Sequence, residues 1–179
     1  MKKKIITVLG ARPQFIKASV LSNLLKRMVD VEEVIVNSGQ HYDYNMSEQF
    51  FSELNIPKSK YNLSVKSSSH TTQTATIMKN LEPILDAECP DMVLVYGDTN
   101  TTLAAALTAA QLNFPVAHIE AGLRSYRKGM AEEMNRVLTV KLSDYLFCTS
   151  LNSCKNLRSE NIKNQMTTKG NRSHRLNAL

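Results

Sequence analysis

Three acidic side chains stand where a sheet would bring them together. Asp98 ends the apolar run Met92-Val93-Leu94-Val95-Tyr96-Gly97, and Glu120 ends Val116-Ala117-His118-Ile119. In an open α/β sheet, ligands sit outside the carboxyl ends of parallel strands, so both carboxylates point into one crevice. Glu132, with Glu133 beside it, follows at the start of a helix. Three carboxylates converging on one cleft suit general acid–base chemistry, in which one group removes a proton and another returns it.

Each of these residues also has a structural reading. Asp98 can cap the helix that follows, or leave that duty to Thr99 or Asn100. His118 and Glu120 alternate along a strand and share a face. His118 then reads either as a core histidine or as a ligand-facing one. Glu120 needs a partner if it is buried, and Arg124 is a candidate for a structural ion pair. Glu132 and Glu133 favour the positive end of a helix dipole, and Asn135 and Arg136 add polar groups one turn on. Convergence on one face favours the functional reading of the set. Gly10-Ala11-Arg12-Pro13 joins the first strand to the first helix. Arg12 can grip a phosphate at the helix N-terminus, with Lys17 a turn further along. The other reading is a plain βα turn with surface cations. The segment is not G-x-G-x-x-G, so a dinucleotide site has little support.

The elements that must position these groups alternate. Lys4 to Leu9 is a β-branched strand. Pro13 to about Met28 is a helix with Phe15, Ile16, Val20, Leu21, Leu24 and Leu25 at helical spacing. Val34–Val36 is a second strand, Asn45 to Leu54 a short helix, and Pro57 to Ser69 irregular. Thr71 to Glu88 is helical, with Ile77, Leu81, Ile84 and Leu85 inward, and Pro83 predicts a kink or break. The strand before Asp98, an alanine-rich helix from Thr101 to Leu112 and the strand before Glu120 follow. A helix from Ala131 to Ser143, a strand from Tyr145 to Cys148 and a helix from Leu151 to Glu160 complete the pattern. Such alternation predicts an α/β, Rossmann-like parallel sheet with helices on both faces. Residues 1–162 form that domain, and residues 163–179 are expected to be a divergent, disordered basic tail.

The totals narrow the function classes. The chain has 179 residues, enough for one generous domain, with 42% hydrophobic residues and a net charge of +6. Basic residues cluster at the ends, as in Lys2-Lys3-Lys4, without interleaved aromatics, which argues against nucleic-acid binding. Cys89, Cys148 and Cys154 lack metal-like spacing and fit a reducing cytosol. No stretch approaches membrane-spanning length, and Ile5-Ile6-Thr7-Val8-Leu9 is too short for a signal-peptide core.

Five segments then occur in order: Gly10-Ala-Arg-Pro-Gln-Phe-Ile-Lys17, Gly39-Gln-His-Tyr-Asp43, Gly97-Asp-Thr-Asn-Thr-Thr102, His118-Ile-Glu-Ala-Gly-Leu-Arg124 and Glu132-Glu-Met-Asn-Arg136. Together they resemble the non-hydrolysing UDP-N-acetylglucosamine 2-epimerases from about residue 4 to residue 162. The resemblance implies one half of a GT-B architecture, two Rossmann-like domains with the active site between them. It implies interconversion of UDP-GlcNAc and UDP-ManNAc by elimination and re-addition of UDP, with no metal or redox cofactor. By motif, Asp98, Glu120 and Glu132 match the catalytic carboxylates. Arg12, Lys17, His118, Arg124, Asn135 and Arg136 match positions that bind the UDP-sugar. Homodimers are common in the family. The resemblance also marks departures. The C-terminal UDP-binding domain is absent, Lys66-Ser67-Ser68-Ser69-His70-Thr71 replaces a glycine-rich stretch, and Ala131 stands for a proline. These predict a truncated, poorly active or inactive half. Gly39-Gln-His-Tyr-Asp43 resembles members of surface-polysaccharide pathways, some of which take modified UDP-sugars. The rival readings are a non-catalytic remnant or subunit needing a separate C-terminal half, and a GT-B nucleotide-sugar glycosyltransferase.

Overall fold

The computed structural model describes residues 2–39, 56–66, 68–162 and 165–168. Seven strands alternate with five helices among them: β1 Lys3–Leu9, α1 Arg12–Leu25, β2 Val31–Asn37, β3 Tyr61–Asn62, α2 His70–Glu88, β4 Met92–Tyr96, α3 Asn100–Gln111, β5 Val116–Ala121, α4 Ala131–Leu142, β6 Tyr145–Cys148, α5 Leu151–Ser159 and β7 Gln165–Thr168. The strands form one sheet in the order β3-β2-β1-β4-β5-β6-β7. All six pairings are parallel. This is the doubly wound order, and the direction of winding reverses between β1 and β4. Ile5 to Val8 of β1 lie beside Met92 to Val95 of β4, and Val95 lies beside His118 of β5.

Both faces of the sheet are covered. On one, Ile6, Val8, Val93, Val95 and Val116 meet Ile77, Leu81 and Leu85 of α2 and Ala104, Ala105, Ala106 and Ala109 of α3. The alanines let α3 lie close to the strands. On the other, Leu9, Ile35, Leu94, Tyr96 and Ala117 meet Phe15 and Ala18 of α1. A third cluster joins Val140 of α4 to Leu146, Cys148, Cys154 and Leu157. Burial, with Cys154 beside it, pushes the Cys148 thiol up to about 12, so it behaves as a small core residue.

The expected elements appear where periodicity was strong, with four corrections. Helix α2 runs unbroken through Pro83. Helix α1 turns Gln14, Phe15, Ala18, Ser22 and Leu25 inward, whereas Ile16, Val20 and Leu24 are 50%, 68% and 53% exposed. Two polar residues and an alanine took inward positions, and three large apolar ones point out. The stretch from Pro57 contains β3, and the supposed tail contains β7, which pairs with β6. Edge strands this short are held by backbone bonding and need no apolar run, although Met166 packs against the third cluster. Residues 169–179 and the expected helix from Asn45 to Leu54 lie outside the described residues. Finally, Lys3 and Lys4 of the basic amino-terminal cluster are tied into the fold by ion pairs.

These lysines close the amino-terminal edge of the sheet. Glu88, with its side chain only 6% exposed, accepts hydrogen bonds from Lys4 at 2.7 Å, Lys60 at 2.6 Å and the Tyr61 hydroxyl at 2.6 Å. Asp91 beside it takes Lys3 Nζ and the Lys4 amide, both at 2.8 Å. The Lys4, Lys60 and Tyr61 donors hold the Glu88 carboxyl down from its ordinary 4.5 to about 2. A depressed acid stabilises the fold fully above its unfolded pKa and loses that contribution as pH falls through the folded one. Glu88→Gln is therefore expected to lower the urea midpoint at pH 7. The gap from the parent protein should narrow between pH 4.5 and about 2. A gap that stays constant over that range would show that the charge on Glu88 is not what matters.

Candidate active site

Three turns meet at the carboxyl edge of β1, β4 and β5, and one buried side chain joins two of them. Gln14, 3% exposed, accepts the Gly10 and Ala11 amides at 2.8 and 3.1 Å through Oε1. Its Nε2 donates one hydrogen to the Tyr96 carbonyl at 2.7 Å and shares the other between Thr102 Oγ1 at 3.0 Å and Thr99 Oγ1 at 3.1 Å. The turn that carries Arg12 is thereby fixed to the turn that carries Asp98. Arg12 opens α1 as an exposed residue at the helix N-terminus. The cap of α3 belongs to Thr99, whose Oγ1 accepts the Thr102 amide at 3.3 Å while Thr102 Oγ1 accepts the Thr99 amide at 3.2 Å. Asp98 is therefore free of capping duty, and that sequence alternative is decided.

Asp98 is held from three sides. Its Oδ2 accepts Arg136 Nη2 at 2.5 Å and Nε at 2.9 Å, and its carbonyl accepts Asn135 Nδ2 at 2.9 Å. The preceding Gly97 has φ +67°, a conformation that suits glycine. The Gly97 carbonyl lies 2.7 Å from His118 Nε2. A carbonyl only accepts, so Nε2 carries the hydrogen. Burial pushes the His118 pKa down to about 4, against the pull of that bond, and the ring is neutral near pH 7. His118 is fully buried. The sequence reading placed it among the ligand contacts; the structure makes it a support for the Gly97–Asp98 turn. Asn135, 5% exposed, is likewise a support.

Glu120 stands on the neighbouring strand end with φ +74°, where β5 shifts register against β6 between Ile119 and Ala121. A non-glycine residue in that region costs about 1–3 kcal/mol, and such strain collects at functional sites. Here it turns Glu120 out of the strand toward Lys17, to which its Oε2 is hydrogen-bonded. A Cβ placed on Gly97 would lie 3.5 Å from Glu120 Oε2, so this carboxylate borders the turn of Asp98. The candidate Glu120–Arg124 pair does not form. Arg124 instead grips Glu160 at 2.7 Å through Nε and Nη2, with its side chain 1% exposed. Its guanidinium is spent on the end of α5, away from Glu120. Gly122 permits this crossing, since a side chain there would meet the Ser153 carbonyl at 2.5 Å.

Helix α4 contributes the remaining acids. Glu132 is half-buried in its first turn, and Glu133 is buried. Glu133 accepts the Ser125 amide at 2.9 Å, the Ser125 hydroxyl at 3.0 Å, the Tyr126 amide at 3.1 Å and Arg136 Nη1 at 2.8 Å. Burial opposes its charge, but the Ser125, Arg136 and Tyr126 donors outweigh it and hold the carboxyl at about 2. Arg136 thus bridges Glu133 to Asp98. The sequence reading treated Glu133 only as the neighbour of Glu132. The Glu133–Arg136 spacing of one helical turn was the signal that could have found it. Gln14 was legible in the same way, as a glutamine one turn into a helix that lacks a capping side chain.

The arrangement sets carboxylates beside cations at the switch point of a parallel sheet. Lys17, Arg136 and the exposed Arg12 can meet an anionic group, and Asp98 and Glu120 can exchange protons. A family model described as UDP-N-acetylglucosamine 2-epimerase matches residues 23–173. The UDP-2,3-diacetamido-2,3-dideoxy-D-glucuronate 2-epimerase of Pseudomonas aeruginosa is 49% identical over 160 residues, covering 89% of this chain and 45% of that protein. The UDP-N-acetylglucosamine 2-epimerase of Methanocaldococcus jannaschii is 44% identical over 169 residues, covering 94% of this chain and 46% of its own. The crystal structure of that enzyme with UDP-GlcNAc and UDP superposes with a TM-score of 0.88 at 43% identity, over 92% of this chain and 46% of its own. The chain thus spans under half the length of these relatives. On sequence and fold together, the chain belongs to the UDP-N-acetylglucosamine 2-epimerase family.

Proposed function

We propose that this crevice supplies the acid–base wall of a non-hydrolysing UDP-sugar 2-epimerase. The observation that carries this reading is the pair Asp98 and Glu120, on adjacent strand ends and each bonded to a cation. Inversion at C2 requires a base on one face of the sugar and an acid on the other. One carboxylate takes the C2 proton as the C1–O bond to UDP breaks, which leaves a 2-acetamidoglucal and UDP. The C1–O bond then re-forms while a carboxylic acid delivers a proton to the opposite face of C2. Glu132 is the third acid of the set. Lys17, Arg12 and Arg136 offset the charge of the departing diphosphate. The M. jannaschii enzyme was solved with UDP-GlcNAc, and the P. aeruginosa relative acts on a diacetamido glucuronate, so the sugar is a UDP-linked N-acetylated hexose or its uronate.

The reading places the protein in the cytoplasm as a homodimer; consistent with that, no helix among the described residues is long and apolar enough to cross a membrane. The exposed stripe Ile16, Val20 and Leu24 on α1 supports a second copy as partner. Sedimentation should report a dimer that Val20→Asp converts to a monomer; a parent chain that sediments as a monomer would remove this part of the proposal.

One wall positions a nucleotide sugar poorly, and positioning supplies much of an enzyme's rate. The 179 residues alone, given UDP-GlcNAc in D₂O, are expected to leave C2 unlabelled. Joined to the second half of the M. jannaschii relative, they should place deuterium at C2 and release UDP-ManNAc. In that fusion Asp98→Asn and Glu120→Gln are each expected to cut exchange by about 10²-fold or more. A folded fusion that makes no UDP-ManNAc would sink the assignment. Glu133→Gln should cut exchange by roughly tenfold, because it loosens Arg136 from Asp98 at the cost of one charged hydrogen bond. Unchanged exchange in this variant would mean that Arg136 does not need Glu133.

A further inference from the structure

Three buried amides converge on one exposed imidazole at the rim of this crevice. His70 opens α2 as an exposed residue, and its Nδ1 lies 3.0 Å from Asn100 Nδ2 and 3.2 Å from Asn100 Oδ1. Asn100, 5% exposed, also donates through Nδ2 to Gln73 Oε1 at 2.6 Å and accepts Asn135 Nδ2 on Oδ1 at 3.3 Å. Gln73 and Asn135 are each 5% exposed. An amide nitrogen has two hydrogens, and this one spends one on Gln73 and one on His70. The contact with Nδ2 is the shorter of the two and uses that second hydrogen, which assigns Nδ1 as the acceptor and leaves the hydrogen of the neutral ring on Nε2; the opposite tautomer would donate Nδ1–H to Asn100 Oδ1. With Nδ1 turned to buried Asn100, the Nε2–H edge faces outward.

The anchoring is linked to the reacting groups. The Asn135 amide that steadies Asn100 also holds the Asp98 carbonyl at 2.9 Å. Asn100 opens α3 directly after the Asp98 turn. Helices α2 and α3 cover the face of the sheet opposite α1, so His70 flanks Asp98 from the side away from Arg12 and Lys17. Burying a network of three amides to fix one surface ring is how a protein orients a contact residue in advance.

We propose that His70 is a ligand-binding residue of the crevice, donating Nε2–H to an acceptor oxygen on the sugar half of the nucleotide sugar. This rests on the epimerase reading above. Two sources offer that oxygen, the acetamido carbonyl and a C6 carboxylate. The test uses the 179-residue chain labelled with nitrogen-15 at its four histidines, with His70→Ala to assign the signal. Free protein should show His70 as the Nε2–H tautomer, and Asn100→Asp, which turns the donor into an acceptor, should convert it. UDP-GlcNAc should move the His70 Nε2 signal and UDP alone should not. UDP-N-acetylglucosaminuronate moving it further assigns the carboxylate; UDP-GlcNAc moving it equally assigns the acetamido group. His70→Ala should weaken UDP-GlcNAc binding by roughly three- to tenfold, the worth of one hydrogen bond, and leave UDP binding unchanged. An Nδ1–H tautomer in the free protein overturns the proposal. So does a His70 signal that stays still while Arg12 and Lys17 respond, or one that UDP alone moves equally. Silence at all of these residues with every ligand, both in the chain alone and in its fusion with the second half of the M. jannaschii relative, would overturn the epimerase reading together with this one.

Discussion

The site depends on Gln14. At the switch point of a doubly wound sheet, the chain leaves β1 toward one face and β4 toward the other. Nothing in the strand pairing closes the gap between the two turns. Gln14 closes it with one side chain that accepts two amides of the first turn and donates to the second. An alanine there would leave the Gly10 and Ala11 amides without their side-chain acceptor and the Tyr96 carbonyl with Thr102 alone. Arg12 and Asp98 would then belong to independently moving loops. The same gap that makes a ligand crevice has to be bridged, and a buried glutamine does so without adding charge.

The carboxylates follow from that fixed frame, and each is set by a different device. Asp98 is oriented through its backbone: His118 and Asn135 donate to successive carbonyls, and Arg136 grips the side chain. His118 can do this only as a neutral ring, which its burial secures. Arg136 is in turn fixed by Glu133, whose donors keep it ionised well below neutrality. Glu120 is oriented by strain, since its left-handed backbone and the register shift of β5 swing it toward Lys17. Geometry fixed in advance is what lets weak individual contacts contribute to a rate.

The sequence made much of this legible, and the failures have physical causes. The strands of the sheet centre and the inward faces of α2 and α3 follow apolar periodicity, which is the signal that burial imposes. The strand-end placement of Asp98 and Glu120 follows from topology alone. Helix α1 was misread because its inward positions 14, 18 and 22 are glutamine, alanine and serine, chosen for a hydrogen-bond hub and close packing. Hydrophobicity carries no trace of such choices. His118 and Arg124, grouped by motif with the ligand contacts, have buried side chains, because motif position tells which residues matter and not which of them reach solvent. Strands β3 and β7 were missed because edge pairing is a backbone property. Arg124 was the cation nearest Glu120 in sequence, but the course of the chain after Gly122 carries it to Glu160 and leaves Glu120 with Lys17.

The two edges of the sheet use the same groups to opposite ends. At the amino edge, Glu88 takes donors from β1, β3 and the residue before β3, so both its oxygens are engaged and its side chain is nearly closed to solvent. That carboxylate ties three elements together. At the carboxyl edge, Asp98 is bonded through Oδ2 and Glu120 through Oε2, each to one cation, and their side chains are 29% and 19% exposed. Filling them further would steady the crevice and remove the proton exchange for which it is suited. A parallel sheet permits the division because every βα turn falls at one edge and every αβ turn at the other. The carboxylate that ties elements together sits at the amino edge, and the strained backbone of Glu120 sits at the other.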